Sequence, residues 1–156
     1  MPMTGRLGSF LVVCGLSVAF WPAPGLSETE VAVGKVDDVA AQRVLYLEGP
    51  AVFVVATGSE FLALSADSQH VGDRVLFCSS SQTFTSPAHG ESFDGLGHYL
   101  GGPASGDLGR FQTRVVGDQV VVDLSTVELP PRSETSSAPV GSRCQGGELR
   151  PGFFEG

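Results

Sequence analysis

The chain has little positive charge. Lys35 is its only lysine, and nine Lys and Arg stand against 17 Asp and Glu, for a formal net charge of −8. Such a surface repels phosphate backbones, which excludes nucleic acid as a natural partner. Cysteine is also scarce, at three residues. None falls in a Cys-x-x-Cys, haem-attachment or zinc spacing. The sequence has no Gly-x-Ser-x-Gly nucleophile elbow, no phosphate-cradling glycine loop leading into a helix, and no His-Glu-x-x-His pair. No long stretch carries a helical period, so a helical bundle is excluded. What the chain has in quantity is turn formers, 21 glycines and 10 prolines in 156 residues. That composition belongs to a protein of many short strands.

The N-terminus reads as a targeting segment. Arg6 precedes an apolar run over residues 7–21 that includes Phe10, Leu11, Val12, Val13 and Leu16. Pro22, Pro24 and Gly25 then break it, and Gly25 and Ser27 suit cleavage near residues 25–27. Residues 1–27 are therefore expected to be a signal peptide or an N-terminal membrane anchor. The anchor alternative needs tilt, because the run is shorter than the ~20 residues of a spanning helix. Either way the protein is exported, periplasmic or held outside the cytoplasmic membrane. Cys14 lies within this run. That leaves Cys78 and Cys144, which an oxidising compartment allows to pair. Cys78, after Val75, Leu76 and Phe77, otherwise reads as a buried small apolar residue.

Residues 28–126 read as one all-β domain. Strands are expected at 31–33, 43–47, 51–57, 61–65, 74–77, 83–85, 111–116 and 119–124. Gly117-Asp118 joins the last two as a hairpin, and Gly58-Ser59-Glu60 joins 51–57 to 61–65. The architecture that follows is an antiparallel β-sandwich or small barrel. Residues 127–156 change character. Pro130-Pro131, a serine-rich stretch and Gly146-Gly147 give a tail with too little apolar surface to offset its ordering entropy. Phe153 and Phe154 at its end offer a docking peg.

Two turn-rich loops interrupt the strand pattern, each carrying one histidine. The first is Ser68-Gln69-His70-Val71-Gly72-Asp73. The second runs from Ser86 through Pro87, Ala88, His89, Gly90, Glu91, Ser92 and Phe93 to Asp94. A third loop, Gly101-Gly102-Pro103-Ala104-Ser105, comes later. His98 reads as an exposed polar residue. A Ser86–His89 hydrolase would need an orienting acid and an oxyanion hole; Asp94 is nearby in sequence, but nothing in the pattern supports the geometry.

From these loops to Leu124 the chain resembles the Rieske iron–sulfur domain. The likeness covers residues 30–125 and rests on His89-Gly90, Gly97, Gly102-Pro103-Ala104, Leu108, Arg110-Phe111, Val115 and the stretch from Gly117 to Leu124. It implies two protruding histidine loops, with Gly102, Pro103 and Ala104 in the loop that covers a [2Fe–2S] cluster. In Rieske centres two thiolates hold one iron and two imidazoles the other. Those four ligand positions fall here on Ser68, His70, Ser86 and His89. The family's loop-tying disulfide falls on Asp73 and Ala88. Both histidines remain and all four cysteines are replaced. An alternative register, with Cys78 and Ser80 in the first motif, leaves too little chain before Ser86 for the intervening strands. Where many family members carry a serine and a tyrosine that hydrogen-bond to sulfur, this chain has Glu91 and Phe93.

A serine hydroxyl gives up its proton far less readily than a thiol with a free pKa of ~8.5. No cofactor is therefore expected. The resemblance implies a cluster-free accessory or binding subunit of an exported or membrane-associated electron-transfer system. No catalytic residue is assigned. The expected partners are protein subunits of a membrane-bound electron-transfer complex. Two alternatives stay open. One is a working [2Fe–2S] electron-transfer protein of the quinol-oxidising type. The other is a mononuclear zinc, copper or iron protein using His70 and His89, with Glu91, Asp73 or water completing the shell.

Overall fold

The computed structural model of this chain describes residues 25–134 and the strand at 149–150. The expected signal or anchor segment before Gly25 lies outside the described residues. Among the described residues no helix is long and apolar enough to cross a membrane. The described elements run in the order β1 (Glu30–Lys35), α1 (Val36–Gln42), β2 (Val44–Leu47), β3 (Val52–Ala56), β4 (Phe61–Ser65), β5 (Leu76–Cys78), β6 (Thr83–Thr85), β7 (Ser92–Phe93), β8 (Tyr99–Gly101), β9 (Arg110–Val116), β10 (Gln119–Glu128) and β11 (Leu149–Arg150).

Two antiparallel sheets result. The larger has the order β1-β10-β9-β4-β3-β2, and the smaller β11-β5-β6-β7-β8. The hairpin expected at Gly117-Asp118 is present. Val116 pairs with Gln119, and Gly117 takes the positive φ that such a two-residue turn requires. The turn after β3 closes through Thr57 N–H donating to Glu60 O at 2.8 Å.

Strand β3 explains why the larger sheet is the centre of the fold. Val52, Phe53, Val54 and Val55 are all buried, so both faces of this strand are covered. Alternation sends Phe53 and Val55 toward the smaller sheet, where they meet Leu64, Val75, Phe84, Phe93 and Leu108. Val52 and Val54 face the other way, with Val39 of α1, Leu45, Ala63, Val120 and Val122. The Phe53 and Phe84 rings, 4.9 Å apart, join the two sheets.

The helix was not expected from the sequence. It spans seven residues and buries only Val39, too short a span for a helical period to be read. Strands β7 and β8, of two and three residues, also escape a pattern reading. Cys78 is fully buried, as expected, and is disulfide-bonded. Its partner lies outside the described residues.

Composition assigns residues from 127 onward to a tail, but the described part of that segment is built into the fold. Strand β10 continues to Glu128, and Pro131 bridges to Gly106. Pro130 O accepts a 2.7 Å hydrogen bond from the Gln69 amide of the first histidine loop. The Ser133 N–H and hydroxyl both reach Asp107 Oδ1, and Arg132 donates to Ala104 O. These bonds satisfy the segment's polar groups, which is what composition alone misses. The rest of the expected tail, Phe153 and Phe154 included, lies outside the described residues.

Gly106 admits this strap because it has no side chain. A Cβ there would lie 2.2 Å from Pro130 O and 2.4 Å from Gln69 Nε2. Gly106→Ala is expected to unseat residues 130–133 and to destabilise the protein by about 1–3 kcal/mol, as overpacking does. Urea unfolding checks this, and wild-type stability in the variant would mean that the strap is not seated on Gly106.

Candidate functional site

The two histidine loops leave the same end of the sandwich. The first joins β4 to β5 and is closed at its base by the Asp67–Arg74 bridge. The second joins β6 to β7 and is closed by Ser86 N–H donating to Glu91 O at 2.9 Å. The third, the Pro103 loop, packs on the second. Gly102 sits at φ +97°, where a Cβ would fall 2.6 Å from the Glu91 Cα. Only glycine allows that approach. The Tyr99 hydroxyl donates to Gly102 O at 2.6 Å, and the Arg132 guanidinium stacks 4.2 Å over the Tyr99 ring.

The structure brings His70 and His89 together. Their ring centroids are 5.1 Å apart and the planes meet at 86°, edge to face. Ser68 and Ser86 lie beneath them, both buried. The Ser86 hydroxyl oxygen accepts N–H bonds from Ala88 and His89, each at 3.3 Å, and the hydroxyl donates to Asp73 Oδ2 at 3.2 Å. The Ser68 hydroxyl accepts from His70 N at 3.2 Å and donates to Glu91 Oε1 at 3.0 Å. Each serine thus orders its own loop and reaches a carboxylate on the other.

Two carboxylates, Asp73 and Glu91, receive these bonds. Asp73 stands where the resemblance puts a disulfide cysteine. Its Oδ2 contacts both the Ser86 hydroxyl and His89 Nδ1, so a polar contact crosses between the two loops. Hydrogen bonding to the imidazole holds the Asp73 carboxyl below its ordinary range, although desolvation opposes the shift. The same hydrogen bond, aided by the charge on Asp73, raises His89. Asp94, five residues after His89 in sequence, pairs instead with His98 Nδ1 at 3.0 Å. His98 is accordingly half-buried and paired, not a free surface residue.

Glu91 is fully buried. Its Oε1 is held by Ser68, and its Oε2 has no hydrogen-bond partner among the described residues. Among the described residues no three His, Cys, Asp or Glu side chains form a group that holds a metal ion. The side chains here meet through hydrogen bonds and ion pairs, with His89 half-exposed at the tip. Val71, next to His70 in the chain, is 80% exposed and sits at φ +47°. That backbone is rare for a β-branched residue, and such strain recurs at functional sites.

No protein-family model matches the chain. A search of curated proteins finds the cytochrome b6-f complex iron–sulfur subunit of Chlorobaculum thiosulfatiphilum, 26% identical over 95 residues, which are 60% of this chain and 52% of that one. The chain thus spans about half the length of the curated relative it matches. Among solved structures, the cyanobacterial plasma membrane Rieske protein PetC3 from Synechocystis PCC 6803 superposes with a TM-score of 0.50 at 29% identity. That match covers 60% of this chain and 98% of the other. The chain is similar to Rieske proteins in sequence and in fold. The ferredoxin of carbazole 1,9a-dioxygenase from Nocardioides aromaticivorans IC177 is matched more loosely, with a TM-score of 0.45 at 23% identity over 61% of this chain and 97% of its own.

In this Rieske-like protein the Asp73–His89 contact gives the tip a pH dependence of defined sign. His89 is raised above the ordinary 6.5, so its contribution is complete below that value and is lost as the pH rises through the folded pKa. Asp73 is lowered from 3.8, so its contribution holds above that value and is lost as the pH falls through the folded pKa. The loops are expected to be best held between about pH 4 and 6.5 and to loosen at higher pH. Hydrogen exchange at the 68–73 and 86–91 amides, corrected for intrinsic rates, reads this out. A wild-type profile in Asp73→Asn would refute it.

Proposed function

We propose that this chain is a Rieske-type protein without an iron–sulfur cluster, serving as a binding or accessory subunit of an exported or membrane-associated electron-transfer system. The observation that carries the reading is the state of Ser68 and Ser86. They stand at the two thiolate positions, and each hydroxyl is committed to a carboxylate of the opposite loop. The donor set is two alcohols, two imidazoles and two carboxylates. It does not fit a Rieske centre, which relies on two thiolates to balance the ferric charge. The buried carboxylate of Glu91 adds unpartnered acceptor capacity where bridging sulfide would need hydrogen-bond donors.

The measurement that tests this is the iron, acid-labile sulfide and visible spectrum of protein purified from its native source. Colourless, sulfide-free protein is expected. Two irons and two sulfides per chain would overturn the reading in favour of a working [2Fe–2S] electron carrier. The same sample reports zinc and copper, and so also tests a mononuclear site on His70 and His89.

The partner reading rests on the curated relative, which is named as a subunit of the cytochrome b6-f complex. By that analogy the partners are protein subunits of a membrane-bound electron-transfer complex, met on the outer side of the membrane. The loop tip suits docking. Val71 holds an apolar side chain in solvent on a strained backbone, an arrangement without benefit to the isolated domain. Val71→Gly is expected to stabilise the protein by about 1 kcal/mol by relieving the positive φ. The same variant is expected to weaken co-purification with the membrane complex. A destabilised variant, or one that co-purifies as well as wild type, would remove Val71 from the docking surface.

A further inference from the structure

A second candidate site lies at the opposite end of the sandwich and does not depend on what the histidine loops hold. The turn that ends α1, the end of β3 and the β5–β6 turn leave a groove of about 200 Å³ there. Val44, Val55, Phe77 and Leu96 are among the described residues that line it, with Arg43, Thr57 and Gln82 as polar members. Val55 is buried and Phe77 half-buried, so the floor is apolar.

Arg43 is unusual in two independent ways. The first is its charge. The other cations of residues 25–134 all have partners. Lys35 lies by Asp118, Arg74 by Asp67 and Tyr46, Arg114 by Glu30, Arg110 by Leu96 O, and Arg132 by Ala104 O and the Tyr99 ring. The Arg43 side chain has no hydrogen bond or ion pair among the described residues, in a chain that carries 17 acidic side chains. The second is its backbone. Arg43 sits at φ 64°, ψ −48°, a conformation that L side chains rarely adopt. Its backbone fixes it there, since Arg43 N–H donates to Ala40 O and Arg43 O accepts from Ala56 N at 2.8 Å. Gln82, across the groove, is also at positive φ. Two strained side-chain-bearing residues flanking one apolar groove mark a site kept for something other than stability.

We propose that this groove binds a small carboxylate with a short apolar chain, the carboxylate paired with the Arg43 guanidinium and the chain lying on Val44, Val55, Phe77 and Leu96. An apolar floor with one unpartnered guanidinium at its rim selects that combination. Arg presents a planar fork that a carboxylate matches with two hydrogen bonds. The volume is below the 300–1,000 Å³ of typical drug-sized sites, which limits the ligand to a few carbon atoms.

Hexanoate is the probe, added to the full chain labelled with 15N. Saturable shifts are expected at the amides of Val55, Thr57 and Phe77. Hexanol, which keeps the chain and loses the charge, is expected to bind about tenfold more weakly, and so is hexanoate to Arg43→Gln. Arg43→Gly is expected to lose hexanoate binding while melting at least as high as wild type, because glycine suits the left-handed backbone. The proposal is overturned if hexanoate gives no saturable shifts, if hexanol shifts the same amides equally, or if Arg43→Gln binds like wild type.

Discussion

Two loops that project from the sandwich must be held against each other, and here a single carboxylate does most of it. Asp73 reaches from the first loop to the Ser86 hydroxyl and the His89 imidazole of the second. Below it the Ser68 hydroxyl reaches back to Glu91. The two contacts cross in opposite directions, so neither loop can move away without exposing or orphaning a polar group of the other. An unmade buried hydrogen bond costs more than a made one contributes, and that asymmetry gives the arrangement its stiffness. It differs in kind from a covalent tie, because it depends on the charge state of an imidazole.

The rest of the structure is organised around the base of these loops. Strand β3, buried on both faces, fixes the larger sheet, and the Phe53–Phe84 contact fixes the smaller sheet on it. The Pro103 loop then lies against Glu91 through the side-chain-free Gly102. The strap at 130–133 closes over that loop and grips Gln69. Gln69 also donates to Asp107 O, and the Asp107 carboxylate accepts from Tyr99 N–H and Ser133. First loop, third loop and strap thus form one hydrogen-bonded unit around the histidines. The two ends of the sandwich present opposite characters, imidazoles and acids at one and a free guanidinium over an apolar floor at the other.

Much of this was legible in the sequence, unevenly. The hairpins were, because Gly117-Asp118 and Gly58-Ser59-Glu60 stand between runs of strand formers and the turn chemistry is local. The histidine loops were legible by resemblance, and the curated relative and the PetC3 structure bear out the family. The helix at α1 was not, since seven residues burying one valine give no period. The strap was not either. Residues from 127 onward have the composition of a tail, and partners on Gln69, Ala104 and Asp107 are what build 130–133 into the fold. His98 looked exposed because the residue that pairs with it, Asp94, was read against His89.

By itself the sequence determined the all-β class, the positions of the turns, the placement of both histidines on loops, and that those two loops contain no cysteine. These follow from short-range preferences and residue identity, which neighbours along the chain decide. The tertiary structure decided which acid meets which base. Asp73 meets His89 and Ser86, Asp94 meets His98, and Glu91 is buried on Ser68 with one oxygen unpartnered. It also decided that the Arg43 side chain lies at a groove without a partner among the described residues. The contacts between loops join residues 13 to 23 positions apart. They exist because the packing of two sheets brings separate loops to one end, and no local pattern in a sequence encodes that meeting.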